Sequence, residues 1–446
     1  MNKFWFLAIF LITAGHIFSQ TTLSLQQAID LATNNNLVLK QGAAGVEFTE
    51  RASNQSRLLL LPNLNLGTSY FSNFGYTIDP VTNLPLSNNF QTQGYQLNSS
   101  LNLFSGGSVG NTIKKSKTDL QVAGMTYKES VEDVQFQVIA AYLAVMFAEE
   151  QVKIADDKIK TTELQLSNSK SLVNAGNIPE GNLLAIEAQL SQDELANIQA
   201  KNQLDKAYLD LKLLLQMKPD ENIKIIFPDI NKVEQILSTP VPNANDVADY
   251  AVANKASIKK YDYQLMSDEL AKKIAGAAAL PSLSLIGQVS TNYSNAIYPP
   301  YITEADPYNV QLDNNLSEVV GVTLQIPLFN NGTVLLNKQN AELTLINTQL
   351  NQQIAINTLR QSVTQAVNDL RAAIASYNAA EKNYDAAQKA YEYAQKRFNL
   401  GTTSSFDFTT ATFTFAQAES SLLQAKYDLI FKSKIIDYYL DKPLDL

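Results

Sequence analysis

The chain is written twice. Leu61-Pro62-Asn63-Leu64 returns as Leu280-Pro281-Ser282-Leu283, and Leu103-Phe104-Ser105-Gly106-Gly107 returns as Leu328-Phe329-Asn330-Asn331-Gly332. Asn174-Ala175-Gly176-Asn177 returns as Asn399-Leu400-Gly401-Thr402, at the same offset of 225 residues that separates Gly107 from Gly332. One tetrapeptide match means little, but three in the same order mark a duplicated unit. Each copy reads as helix, strand, loop, strand, very long helix, tight turn and helix. Repeat 1 runs over 20–218 and repeat 2 over 244–446, with the proline-containing stretch 219–243 between them as a linker.

The strands alternate. Leu64, Leu66, Tyr70, Phe74 and Tyr76 share one side of a strand over about 63–76, against Asn65, Gly67, Ser69 and Asn73. Tyr95, Leu97, Leu101 and Leu103 do the same over about 93–104. The second copy repeats the pattern over about 282–294, with Leu283, Leu285, Val289 and Tyr293, and over about 318–328, with Val320, Val322, Leu324, Ile326 and Leu328. A period of two with one apolar side means a half-buried strand.

Two settings bury such a side. In a soluble sandwich the apolar sides of two sheets meet; in an outer membrane they meet lipid while the polar sides line water. Strands of about ten to twelve residues match the roughly nine to eleven that cross a bilayer. Tyr70, Tyr76, Tyr95 and Tyr293 suit interfacial girdles, and the long Asn- and Pro-containing loops near 77–92 and 294–317 suit an external face. Four strands cannot close a barrel, and an open edge cannot face hydrocarbon. The membrane reading therefore requires several copies, each donating four strands.

The N-terminus fits that setting. Lys3 precedes the apolar run Phe4–Ile12, and small or polar residues lead to Ser19, as in an export signal over 1–19. No later run is expected to be long and apolar enough for a membrane-crossing helix. There is no cysteine, and the one histidine, His16, would leave with the signal. That removes the commonest general base, the thiol nucleophile and the usual zinc ligands, so no enzyme, cofactor or metal is expected. Gly106-Gly107-Ser108-Val109-Gly110 is too loose for a phosphate loop. The net charge of −9 argues against nucleic acid.

The helices set a length. No Gly or Pro lies between Gly332 and Gly401, a stretch that as helix would reach on the order of 100 Å. Val363, Val367, Leu370, Ile374, Tyr377, Ala380, Tyr384, Ala387, Tyr391, Ala394 and Phe398 step by fours and threes, a coiled-coil seam. Hairpins are expected over about 106–217 and 332–440, turning at Gly176 and Gly401 as C′ glycines, with Pro179 in the first turn of one returning helix and Ser404 capping the other. A coiled-coil structural protein without a channel explains the helices equally well, but leaves the duplicated strands and the export signal unexplained.

These residues resemble the TolC family of outer-membrane efflux proteins over essentially the whole mature chain. The likeness rests on the Leu25-Gln26-Gln27-Ala28-Ile29 helix start, the Leu-Pro-x-Leu strand starts, the Leu-Phe-x-x-Gly junctions and the glycine-containing turns, in that order. It implies an α+β membrane protein: a homotrimer with a twelve-stranded barrel in outer-membrane lipid, four strands per chain, joined to a long α-helical barrel in the periplasm. It also implies a passive exit duct that docks a periplasmic adaptor and an inner-membrane RND or ABC transporter through tips at Asn174, Gly176, Asn177, Asn399, Gly401 and Thr402. Asp407 matches an acidic position of the family's periplasmic gate; the usual second acid is Thr410 here, a departure from the family's double carboxylate ring. Ser404-Ser405-Phe406-Asp407 equally has the pattern of a helix cap, and the two roles are compatible.

Overall fold

The computed structural model describes residues 21–78, 83, 85–87, 89–176, 178–227, 232–296, 304–400 and 402–443. The expected signal over 1–19 lies outside them. In chain order the elements are β1 (Thr21–Leu23), α1 (Leu25–Asn35), α2 (Leu37–Arg57), β2 (Asn63–Asn73), β3 (Tyr76–Ile78), β4 (Pro85–Ser87), β5 (Phe90–Ser105), α3 (Ser108–Asn174) and α4 (Glu180–Leu215). They continue with β6 (Ile223–Ile225), α5 (Lys232–Ser238), α6 (Ala244–Asn254), α7 (Ala256–Ala277), β7 (Ser282–Ser294), α8 (Tyr308–Asn314), β8 (Ser317–Gln325), α9 (Thr333–Asn399) and α10 (Ser405–Tyr439). The stretch read as a linker carries β6 and α5. Two compact units divide the chain, and each draws on both repeats: one combines Ala43–Tyr127 with Ala256–Ala355, the other holds the remaining segments.

The first unit contains a four-stranded antiparallel sheet in the order β2-β5-β7-β8. Partners across the ladders share a side, which sorts the residues without ambiguity. Leu66, Leu97 and Val289 form one row of the apolar side, and Leu101, Leu285 and Val322 another. The opposite side stacks Asn65, Asn98 and Gln288, then Gly67, Gln96, Ser290 and Ser317. One irregularity was not expected: between Asn102 and Phe104 the register slips, so Phe104 rather than Leu103 stands opposite Leu283. Two strand ends also differ from expectation. β2 stops at Asn73, before Gly75 at φ 111, which sends Tyr76 into the small β3–β4 hairpin; β8 stops at Gln325, two residues before Pro327.

A short helix occupies part of the loop expected near 294–317. α8 lies against β7: Thr291 donates to the Leu312 carbonyl at 2.7 Å, and the Gln311 side chain bonds both Ser294 N and O. Tyr308 joins two of the tyrosines assigned to the girdle, its hydroxyl 2.7 Å from that of Tyr95 and its ring 5.0 Å from that of Tyr293.

Strand passes to helix at Gly106, whose φ is +62. A Cβ there would stand 2.7 Å from the Ala277 carbonyl and 2.8 Å from Leu280 Cβ, so α7 leaves no room for a side chain. Gly106→Ala should cost about 1–3 kcal/mol from the left-handed backbone alone, with the clash added; a thermal unfolding midpoint equal to wild type would contradict this. Below the junction α7 binds its neighbours with consecutive residues. Ser267 donates to Asp119 of α3, and Asp268, 5% exposed, accepts from Thr348 of α9 at 2.7 Å.

The second unit is built around a small parallel sheet of β1 and β6. Tyr142 of α3, fully buried, pins it: its hydroxyl lies 2.6 Å from the Ile226 carbonyl and 2.9 Å from that of Leu23, and accepts the Ile226 N–H at 3.1 Å. Burial pushes its pKa up to about 12, so it stays a donor. Around it, α3 carries a stretch long and apolar enough by composition to cross a membrane, contrary to the sequence expectation. Val138, Ile139, Val145 and Met146 in this helix are buried against protein, and that packing accounts for the run. Val247, Ala248 and Ala251 of α6 close a further cluster with Val363 of α9.

Candidate functional site: sheet wall and helical tips

Both expected turns lie in the second unit. At the first, α3 ends at Asn174, Ala175 N bonds the Ser171 carbonyl, and Gly176 takes φ +73, the left-handed C′ conformation. Asn174 and Gly176 are exposed, and Asn177 lies outside the described residues. Pro179 stands at the N-cap rather than within the first turn; it offers no side-chain acceptor, and α4 begins at Glu180. At the second turn, α9 ends at Asn399 and Gly401 lies outside the described residues. Thr402 folds back on the helix end, its N–H bonding the Arg397 carbonyl at 2.9 Å and its hydroxyl the same oxygen at 3.0 Å. A bond from the third residue past the helix to the third from its end closes the Schellman pattern.

Asp407 sits in the first turn of α10 and is exposed. Ser404, the N-cap, accepts the Asp407 N–H at 3.0 Å and donates its hydroxyl to Asp407 Oδ2 at 2.8 Å. The carboxylate therefore leans on the cap hydroxyl, near the positive end of the helix. Its other oxygen is free to face solvent or an ion. Thr410, one turn on and exposed, donates to the Phe406 carbonyl at 2.8 Å. It contributes no charge, so the first turns of α10 present one acid. Phe406 and Leu400 are both largely exposed.

The two hairpins are held by different chemistry. Between α9 and α10 the seam is aromatic: Phe398 stacks on Phe408 at 4.7 Å, and Tyr391 stacks on Phe415 at 5.2 Å. Between α3 and α4 it is polar. Asp193, 1% exposed, accepts from Thr162 at 2.7 Å and Gln189 at 2.7 Å, and pairs with Lys158 at 3.0 Å. Asn197 donates to Asp156 and holds that carboxyl below its ordinary range. At the repeat offset, Thr162 and Asp193 correspond to Ala387 and Ala418, which are also buried. The sequence reading missed this network although a signal existed. Ile186, Asp193 and Asn197 step by seven and four, as a seam does.

The sheet, in the other unit, is a separate candidate surface. β2 and β8 are its edges, so each presents an unpaired row of backbone N–H and C=O groups. Leu64, Leu66, Val320, Val322 and Leu324 along these edges are exposed. An apolar side of this size on an open sheet is not stable in water.

A family model described as outer membrane efflux protein matches residues 28–215 and 247–433. Outer membrane protein TolC of Salmonella enteritidis is 23% identical over 359 residues, covering 80% of this chain and 69% of that protein. Toxin and drug export protein A of Aggregatibacter actinomycetemcomitans is 26% identical over 264 residues, which is 56% of this chain and half the length of that relative. Among solved structures, the CmeC outer membrane channel of Campylobacter jejuni shares the fold with a TM-score of 0.75 at 17% identity, covering 93% of this chain and 85% of that one. The MtrE outer membrane channel of Neisseria gonorrhoeae, in its open state, gives 0.69 at 19% identity over 94% and 89%. With most of both repeats inside the matched family model, the chain belongs to the outer membrane efflux protein family, and its place is the outer membrane.

Proposed function

We propose that this chain is one protomer of a homotrimeric exit duct, a twelve-stranded barrel continued by a helical tunnel through the periplasm. The duct passively carries cargo handed over by a periplasmic adaptor and an inner-membrane pump of the RND or ABC type. The observation that carries this reading is the sheet: one apolar side, one polar side and two unpaired edges. With an even number of strands, β8 of one copy runs antiparallel to β2 of the next, so copies continue the ladder until it closes. Exposed leucines and isoleucines on α9, among them Leu343, Leu350 and Ile354, give the helices a matching unpartnered stripe. Antiparallel neighbours suit a disulfide, and the chain has no cysteine of its own. Single cysteines at Thr68 in β2 and Val320 in β8, scanned two residues either way, should give a crosslinked ladder ending at three chains. Monomers only, or a ladder running past three, would defeat the closed trimer.

Within this reading the turns at Asn174, Gly176 and Asn177 and at Asn399, Gly401 and Thr402 are the adaptor-docking tips, and Asp407 rings the periplasmic constriction. The free Asp407 oxygen supports the assignment, since the cap occupies only Oδ2. Three such carboxylates would concentrate cations and repel anions. Asp407→Asn should weaken block by multivalent cations about tenfold in planar bilayers, and identical block in the variant would remove Asp407 from the constriction. Thr410, which satisfies its hydroxyl within the helix, lines the ring without charge.

A further inference from the structure

The polar side of the sheet has a property that the apolar side does not explain. Its rows, such as Asn65, Asn98, Gln288 and Val319, contain amides, hydroxyls, glycines and a few apolar residues, and among the described residues no charged one. Glu318, the sheet's one acid, lies on the apolar side opposite Val289. In a chain that is 17% charged with a net charge of −9, a side of this area would carry several charges by composition alone. On the other side lipid makes charge costly except near the interfaces, and Glu318 stands next to the first residue of β8; water imposes no such cost here, and lumen positions tolerate charged residues. The wall is also partly self-satisfied: Gln96 Nε2 donates to Asn98 Oδ1 at 3.0 Å, and Ser284 Oγ to Asn102 Oδ1 at 3.1 Å.

We propose that the barrel section of the duct is a charge-free wall that passes neutral, zwitterionic and ionic polar cargo of either sign alike, leaving charge selection to other parts of the chain. The inference rests on the channel reading above. Amides and hydroxyls replace part of a solute's hydration through dipoles, which serve cations and anions equally. Those already paired along the wall, such as Asn98 and Asn102, hold no solute tightly enough to trap it. Fixed charges elsewhere do not substitute, since screening confines their influence to about 8 Å at physiological salt.

The test uses the full-length protein in planar bilayers and the absence of native cysteine. Gln288→Cys places a thiol on the polar side and Val289→Cys one on the apolar side. Each is treated with a cationic and an anionic methanethiosulfonate, with rates normalised to those of a free thiol in solution. At Gln288→Cys the normalised rates should agree within about twofold, and adding Ser290→Asp on the same side should raise the cationic-to-anionic ratio several-fold. A tenfold bias toward either reagent without the added charge overturns the proposal, as does a ratio that Ser290→Asp leaves unmoved. If Gln288→Cys fails to assemble, Asn98→Cys in the same row replaces it. Failure of the channel reading looks different: Val289→Cys reacts while Gln288→Cys does not, or no conductance appears at all.

Discussion

Leu97→Arg should abolish the assembled protein, whereas Asn98→Arg, the next residue along β5, should leave it assembled. Leu97 stands opposite Leu66 on one side and Val289 on the other, in the middle of the apolar rows. An arginine facing the bilayer midplane costs about 2–4 kcal/mol, and in the proposed trimer it is incurred three times. Asn98 stands opposite Asn65 and Gln288, where a guanidinium reaches water. The measurement is the yield of heat-resistant oligomer in the outer-membrane fraction. Equal tolerance of both changes would remove lipid from the apolar side. The reverse outcome would put the polar side against a buried partner.

The second large effect lies far from the sheet in sequence. Lys255, 3% exposed, joins α6 to α7; its Nζ lies 2.7 Å from Asp441 Oδ1, 3.4 Å from Glu132 Oε2 and 3.9 Å above the Tyr438 ring. The lysine thereby ties the chain beyond α10 to α3. Lys255→Met strands two carboxylates, and removal of one partner of a buried pair costs about 3–5 kcal/mol, the lower end applying because Asp441 is partly solvated. Burial raises the Glu132 pKa above its ordinary 4.5 despite the lysine, so the folded state holds that proton more firmly than the unfolded chain. Its contribution is then fully present below 4.5 and lost as pH rises through the raised folded value. Glu132→Gln should flatten the decline in thermal midpoint across that window, and Lys255→Met should lose more stability at pH 8 than at pH 5. A Glu132→Gln curve parallel to wild type would exclude the carboxyl as the source.

What could be read from the sequence was what repeats over short distances. The seam from Val363 to Phe398 is buried or half-buried at every residue of its pattern, because a helix brings residues three and four apart to one side whatever surrounds it. The strand sides were legible for the same reason at period two. The Asn102–Phe104 slip was not, since local alternation carries no register information across strands. Neither Tyr142 holding β1 to β6 nor Lys255 meeting Glu132 and Asp441 has a local signature, because the partners are up to 186 residues apart. At the tips, the Ser404 cap was legible from its spacing, while the contrast between an aromatic and a polar seam needed both helices in view.

The strand order has a consequence for how the protein is made. The two inner strands, β5 and β7, come from different repeats and meet through partners 177 to 202 residues apart, from Ser105 with Ser282 to Thr92 with Ser294. Closing so long a loop costs entropy before any ladder bond repays it, and pairing of this kind is slow. The first hairpin, β2 with β5, cannot wait in lipid meanwhile, because its open edge would stay unbonded. In the proposed barrel, then, no part of the sheet enters the membrane until the chain is complete beyond β8, and until that point its apolar strands stay without a partner surface.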